Sequence, residues 1–463
     1  MTRLFLSLFI WVISLGYSTG QNPDSLWDVH RGLLTLDQLQ IQNPEHLTGF
    51  FRKLDAVREA EADRQVVRIV HIGDSHVQAD YLPGVLRRLF WRDFGEAGRG
   101  LVFPYKLAGT HGPLDYEWSG TTEWTARRRT FQRGGPAIGI TGMGLRANTN
   151  QVELRLSFDS EYPPMPFDQL TVITDEATDW FTRIDEPVAP PLAGSGWQYH
   201  TVVSGETLYG LAREYQCTVT DLQHWNRLSG HQIFAGQSLR VGRQIVQTDA
   251  SAPMLSPEPR KPFLRKQYLP EPAEELILTG QNPTGPSLYG VVLENRRRSG
   301  VLYHMIGVNG TTYYHYHRSE EFWEQLPALA PDLVIITLGT NEALQSSFRP
   351  AEVEREVSGF LERLKTSCPG AGILLMTNPD AGNKSGEKLD RPAEMRDILV
   401  SEARKAGVSV FDWYAIMGGQ GSIYPWREAA LAYRDVIHFT KKGYTFQGYL
   451  LYRALMTAYA NRH

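Results

Sequence analysis

The chain has 463 residues, 42% hydrophobic and 21% charged, with a formal net charge of −4. That length suffices for two or three domains with sizeable cores, and the mildly acidic balance offers no basic face, which argues against a nucleic-acid partner. Two cysteines, Cys217 and Cys368, are too few and too isolated for a disulfide framework or a metal site.

The first stretch, MTRLFLSLFIWVISLGYSTG, has one early arginine, an apolar centre and the small residues Ser18 and Gly20 near its end. This is the form of a cleavable secretory signal over residues 1–20, short for a membrane span. It predicts a mature protein outside the cytoplasm, periplasmic or secreted, with no integral membrane segment. Leu47, Phe51, Leu54 and Val57 then recur at helical spacing. Residues 66–73, VVRIVHIG, read as a strand buried on both faces of a parallel sheet. Ser75 follows in Gly73-Asp74-Ser75-His76, on the turn into a helical pattern through VQADYLPGVLRRLFWRDF. Open α/β sheets place ligands at such strand ends, where helix N–H groups also favour negative charge. The same serine suits a plain N-cap. His76 should diverge from Ser75, and Asp74 should hold the turn.

From residue 105 to 184 short alternating segments such as QVELRLSF and DQLTVITDE predict an antiparallel β module. Similar segments at 273–296 complete one β-sandwich-like unit around an insertion. Gly139, Gly142 and Gly144 have the wrong order for a dinucleotide loop and read as turn material, and the arginine runs at 127–129 and 296–298 as solvated surface. Proline-rich DEPVAPPLAGSG and the 244–272 stretch bracket the insertion as stiff linkers. Within 198–243 the patterns run strand, helix 206–215, helix 220–225, strand, with Ser204 a candidate cap. Beyond residue 297, GVLYHMIGVNG, LVIITLGTNEA, GILLMTNP and VSVFDW are strand-like. Helical patterns in EMRDILVSEARKAG and YTFQGYLLYRALMTAYA complete an α/β unit of residues 21–104 and 297–463, with a parallel sheet and helices on both faces. His315 and His317 suit either a groove lining or ordinary surface.

Ser75, Gly310, Asn341 and Asp435-x-x-His438 follow one another at strand ends and in a late loop. In that order they resemble the four blocks of the GDSL/SGNH hydrolases. His76 stands where leucine is usual, and with the run after it this block looks like the peptidoglycan O-acetylesterase branch, which also carries a β module between the first two blocks. The resemblance implies a three-layer, flavodoxin-like hydrolase with a Ser75, Asp435 and His438 triad. The Ser75 and Gly310 N–H groups and the Asn341 amide would form the oxyanion hole; Gly310 fits the second block better than Gly307. His438 suits the base because imidazole exchanges protons near neutrality, and Asp435 can accept from its other nitrogen. No metal or cofactor is implied.

The insertion, with SGETL and AGQSL at its two ends, resembles a LysM domain. That family binds N-acetylglucosamine-containing chains such as peptidoglycan. The resemblance puts a sugar groove between Gly205, Glu206, Thr207 and Leu208 on one side and Ile233 and Phe234 on the other. Glu206 replaces the commoner aspartate, while Leu208, Leu211 and Ala212 also suit a core. Several readings stay open: an esterase removing O-acetyl groups from peptidoglycan, an O-acetyltransferase, an esterase on another acetylated polysaccharide, or a silent wall-binding protein.

Overall fold

The computed structural model describes residues 23–462 apart from 61–62, 121, 131–133, 161, 163–164, 184–196, 204, 216–218, 227, 229, 244–262 and 384. The expected signal over 1–20, Ser204, Cys217 and most of both proline-rich stretches lie outside the described residues. The chain divides into two units at 185/186 and 256/257.

In the larger unit, strand Val66–Gly73 lies inside a six-stranded sheet. The spatial order is Ile41–Gln42, Ser409–Phe411, Gly372–Met376, Leu333–Thr337, Val66–Gly73, Gly300–Gly307. All neighbours run parallel except the first pair. Alternate side chains go to opposite faces, as a pleated strand requires. Val67, Ile69, Tyr303 and Ile335 pack with Phe50, Leu54, Phe90 and Leu451 from helices Thr48–Arg58, Tyr81–Phe94 and Lys441–Ala460. Val70, Ile72, Ile306 and Ile336 pack with Phe360, Leu364 and Leu399 from helices Pro350–Ser367 and Arg391–Ala406. The result is the expected three-layer α/β fold, in which the helix at 48–58 buries Phe50, Phe51, Leu54 and Val57. Cys368 is free and buried.

The helical pattern after Ser75 is broken rather than continuous. A short helix, Ser75–Gln78, is separated from Tyr81–Phe94 by Asp80, whose φ of 59° is left-handed. The buried Asp80 carboxylate accepts from Arg87 Nη1 at 3.2 Å and Arg99 Nη2 at 3.3 Å. Arg99, fully buried over the Tyr116 ring, also donates to Asp115, at 3.0 Å through Nη2. Burial pushes the Asp115 carboxyl up, but Arg99 and Arg87 outweigh it and hold it below the ordinary carboxylate range. This four-charge cluster pins the helix break to the start of the β module.

The β module draws on both sides of the insertion. Strand Phe167–Ile173 pairs with Leu264–Ala273 and with Gly290–Glu294, which pairs with Gly100–Val102. Gln151–Phe158 pairs with Tyr116–Gly120 and Glu275–Gln281, and the latter also pairs with Asp179–Arg183. A third sheet holds Trp124–Arg128, Met143–Ala147 and Ser287–Leu288. Leu145, Leu154, Leu170, Leu278 and Leu293 share one core. One expectation is corrected. The linker predicted through residue 272 has become strand by residue 264; this strand lies at a sheet edge and its register shifts between Tyr268 and Ala273, where Pro270 and Pro272 are tolerated. The run 296–298 is exposed, as expected, and carries surface ion pairs: Arg297 meets Glu271 at 2.7 Å and Arg298 meets Glu96 at 2.6 Å.

The smaller unit is βααβ: Trp197–Thr201, Leu208–Glu214, Val219–Asn226 and Ser238–Arg243, with the two strands antiparallel. Its first helix begins later than expected because Thr207 is the cap, accepting from Gly210 N at 3.1 Å. Leu208, Leu211, Ala212, Leu222 and Val241 form its core.

Replacing Asp115 by alanine leaves Arg99 a buried cation with one carboxylate fewer, which should cost about 3–5 kcal/mol. Equilibrium urea unfolding checks this; a loss under about 1 kcal/mol would show the cluster to be dispensable.

Candidate active site

Ser75 stands at the carboxyl end of its strand as the first residue of the short helix. Asp74, not Ser75, is the cap: its Oδ1 accepts from His76 N at 2.9 Å. The serine hydroxyl is thereby left free of a capping duty. Ser75 Oγ lies 2.9 Å from His438 Nε2, and His438 Nδ1 lies 2.7 Å from Asp435 Oδ2. Asp435 Oδ1 also accepts from Ile437 N and His438 N, each at 3.0 Å. One carboxylate thus fixes both the ring and the backbone of His438, through a loop whose Val436 has a left-handed φ of 53°. Burial pushes the Asp435 carboxyl up, but the bonds from His438 and Ile437 outweigh it and hold it below the usual carboxylate value. An ionised Asp435 keeps a proton on Nδ1 and turns the Nε2 lone pair toward the serine O–H. The His438 and Asp435 side chains are 36% and 41% exposed, so this row lies open at the surface rather than at the foot of a deep pocket.

Gly310 sits in a turn closed by Thr311 N donating to Val308 O at 3.1 Å, with φ 76° at its third position. A type II turn needs that sign of φ, which glycine supplies without strain. Gly307 lies below, within the strand. Asn341 Nδ2 donates to Asp74 Oδ2 at 3.2 Å and Thr311 O at 2.9 Å. The structure therefore brings Ser75, His438 and Asp435 together directly and joins Asn341 to the Ser75 and Gly310 loops through Asp74 and Thr311.

Several residues here carry weight that the sequence reading missed. His76 is not bonded to Ser75, as expected, but its ring packs 5.2 Å from that of His438 and its Nδ1 meets Tyr444 Oη at 2.8 Å. Burial, then the neighbouring His438, pushes the His76 imidazole down to about 3, so it packs as a neutral ring where leucine is usual. Gln78, fully buried, accepts from Asn309 N at 2.6 Å and donates to Thr110 Oγ1 and His111 O at 2.8 and 2.7 Å. Its one signal was its place on the turn of helix that begins with Ser75. His315 caps its own helix, its Nδ1 2.6 Å from Thr312 Oγ1, and His317 pairs with Glu356 at 2.5 Å; neither is bonded to the triad. Arg129, read as solvated surface, instead donates to His315 O at 2.9 Å and packs over Tyr316. Among the described residues no group of three or more His, Cys, Asp and Glu side chains converges to hold a metal ion.

In the smaller unit Glu206 accepts from Val203 N and faces His200 Nε2, both at 2.7 Å, so its carboxylate ties the first loop to the strand. Gly205, Thr207 and Phe234 are exposed and Ile233 is half-buried. Leu208 is corrected: only 2% exposed, its side chain belongs to the core, as its spacing with Leu211 and Ala212 dictates.

Residues 273–446 match the model of the GDSL-like lipase/acylhydrolase family, and residues 200–242 match that of the LysM domain. The chain carries a GDSL-like lipase/acylhydrolase domain and a LysM domain. A solved structure of a peptidoglycan O-acetylesterase is similar over 89% of this chain and 96% of its own, with a TM-score of 0.62 and 19% identity, a likeness of fold. The probable endopeptidase p60 of Listeria monocytogenes serovar 1/2a is 30% identical over 97 residues, 21% of this chain and 19% of that protein. An autolysin of Enterococcus faecalis is 44% identical over 59 residues, 12% of this chain and 8% of that protein. The chain spans a fifth or less of the length of these curated relatives. The GDSL-like match begins beyond Ser75 and takes in Gly310, Asn341, Asp435 and His438.

Two buried carboxyls, Asp74 and Glu342, flank Asn341. Burial, with a smaller contribution from the Glu342 charge, pushes Asp74 up to about 8, and burial pushes Glu342 up to about 7. Glu342 Oε1 accepts from Tyr313 N at 2.6 Å, while its Oε2 has no partner among the described residues. Because its folded pKa lies above its unfolded one, Glu342 destabilises the fold as pH rises through the folded value. Glu342→Gln keeps the Tyr313 bond and removes the titration. It should gain on the wild type by about 1–3 kcal/mol between about pH 5 and pH 8. Parallel stability–pH curves for the two proteins would contradict this.

Proposed function

We propose that this protein is a secreted serine esterase that removes O-acetyl groups from peptidoglycan, with the LysM domain holding it to the same glycan. The observation that carries the reading is the unbroken row Ser75 Oγ, His438 Nε2, His438 Nδ1, Asp435 Oδ2, at 2.9 and 2.7 Å, open to a polymer. The fold shared with a peptidoglycan O-acetylesterase and the LysM match support the substrate class. The apolar N-terminal segment and the LysM match support an extracytoplasmic place at the wall, and among the described residues no helix is long and apolar enough to cross a membrane.

In this reading Ser75 Oγ attacks the acetyl carbonyl carbon while His438 Nε2 takes the hydroxyl proton, and Asp435 stabilises the imidazolium. Negative charge on the carbonyl oxygen meets the N–H groups of Ser75 and Gly310. Asn341 joins them by exchanging its longer bond, the 3.2 Å one to Asp74, for one to the oxyanion. Collapse breaks the bond to the sugar oxygen, which leaves with the proton from His438. Water, activated by the same ring, then releases acetate and frees Ser75. In the LysM domain the Gly205–Thr207 loop and Phe234 would meet the sugar.

We assign residues 1–20 to the signal, 21–104 and 297–463 to the hydrolase, 105–184 with 264–296 to the β module, and 198–243 to LysM. Tethering raises the local concentration of ester without changing the chemistry. Acetate release from O-acetylated peptidoglycan tests the reading. Wild type should release acetate from native but not from chemically de-acetylated polymer, and Ser75→Ala should lose at least about a hundredfold. Excision of residues 190–262 should slow release from the insoluble polymer but spare a small soluble acetyl ester. Full release by Ser75→Ala would contradict the triad; acetyl transfer to an added oligosaccharide without acetate would make the protein a transferase.

A further inference from the structure

Resting on the reading of Gly310 as an oxyanion donor, the geometry points to a positioning residue in the inserted β module. We infer that Thr130, through its hydrogen bond to the Asn309 carbonyl, holds the Gly310 N–H in its donating direction.

Asn309 C=O and Gly310 N–H belong to one peptide plane, and in a trans peptide they point in opposite directions. That plane is the central peptide of the Val308–Thr311 turn. Type I and type II turns differ chiefly by a flip of this peptide, which would turn the Gly310 N–H away from its type II direction. The φ of 76° at Gly310 selects the type II form, but glycine adopts either sign of φ readily and cannot by itself keep the plane from turning.

Two contacts supply that restraint. Thr130 Oγ1 donates to Asn309 O at 3.0 Å, and Gln78 Oε1 accepts from Asn309 N at 2.6 Å. The peptides before and after Asn309 are thus each held by one side chain. Thr130 is itself fixed: the preceding Arg129 donates through its backbone to Gly142 O at 3.1 Å and through its side chain to His315 O at 2.9 Å. Gln78 is tied to the same module through Thr110 and His111. The β module therefore holds the loop that carries Gly310 from two sides.

Thr130→Val keeps the shape and removes the donor, whereas Thr130→Ser keeps the donor. On a small soluble acetyl ester Thr130→Val should lower kcat roughly tenfold and move KM less than about twofold, because an oxyanion donor acts mainly on the transition state. Thr130→Ser should retain most of the wild-type kcat. Unchanged kcat in Thr130→Val, a loss confined to KM, or equal losses in both variants would overturn the inference. Should the valine variant not fold, Thr130→Ala carries the same expectation and the same contrary results. A wild-type protein that hydrolyses no acetyl ester would overturn the esterase reading itself, and the inference with it.

Discussion

The site depends on how closely the chain can pass over the carboxyl ends of two neighbouring strands. A Cβ on Gly73 would lie 2.3 Å from Val77 Cγ2 and 2.7 Å from Thr337 O; one on Gly307 would lie 2.5 Å from Gln78 N. Only glycine leaves room for the Ser75–Gln78 helix to sit directly on the sheet. The parallel register sets Gly73 level with both Gly307 and Thr337, so the loops carrying Ser75, Gly310 and Asn341 leave the sheet at one height. Their meeting is a consequence of strand register and two missing side chains, not of any one strong bond.

Charge is arranged around that meeting point in two layers. Asp435 is half-exposed, bonded three times to His438 and Ile437 and held ionised. Beneath, Asp74 and Glu342 are buried and pushed toward their neutral forms. Low dielectric around the lower pair disfavours a second negative charge beside a developing oxyanion, while the upper carboxylate supports a positive charge on the imidazole. His76, kept neutral against the same ring, adds packing without adding repulsion.

Much of this was legible in the chain. Buried strands such as VVRIVHIG and LVIIT announce themselves by composition, and the resemblance to the four GDSL/SGNH blocks brought out Ser75, Gly310, Asn341, Asp435 and His438. What stayed hidden depends on contacts distant in sequence. Gln78 grips Asn309 across 231 positions and Thr130 across 179, and no local periodicity marks such pairs. The helix break at Asp80 followed from Arg87 and Arg99 converging on it, which a continuous helical pattern conceals. Arg129 misled for the same reason: in a run that looks solvated in one dimension, its side chain meets the His315 carbonyl, 186 positions away.

The central claim is that Ser75 carries the acyl group between two half-reactions. The direct measurement is rapid acid quenching of the wild-type protein during turnover of a small acetyl ester, followed by peptide mass mapping. An acetyl group on the peptide containing Ser75, absent from Ser75→Ala treated alike, is the predicted result. An acetyl group carried on any other residue during productive turnover, with Ser75 unmodified, would contradict the account.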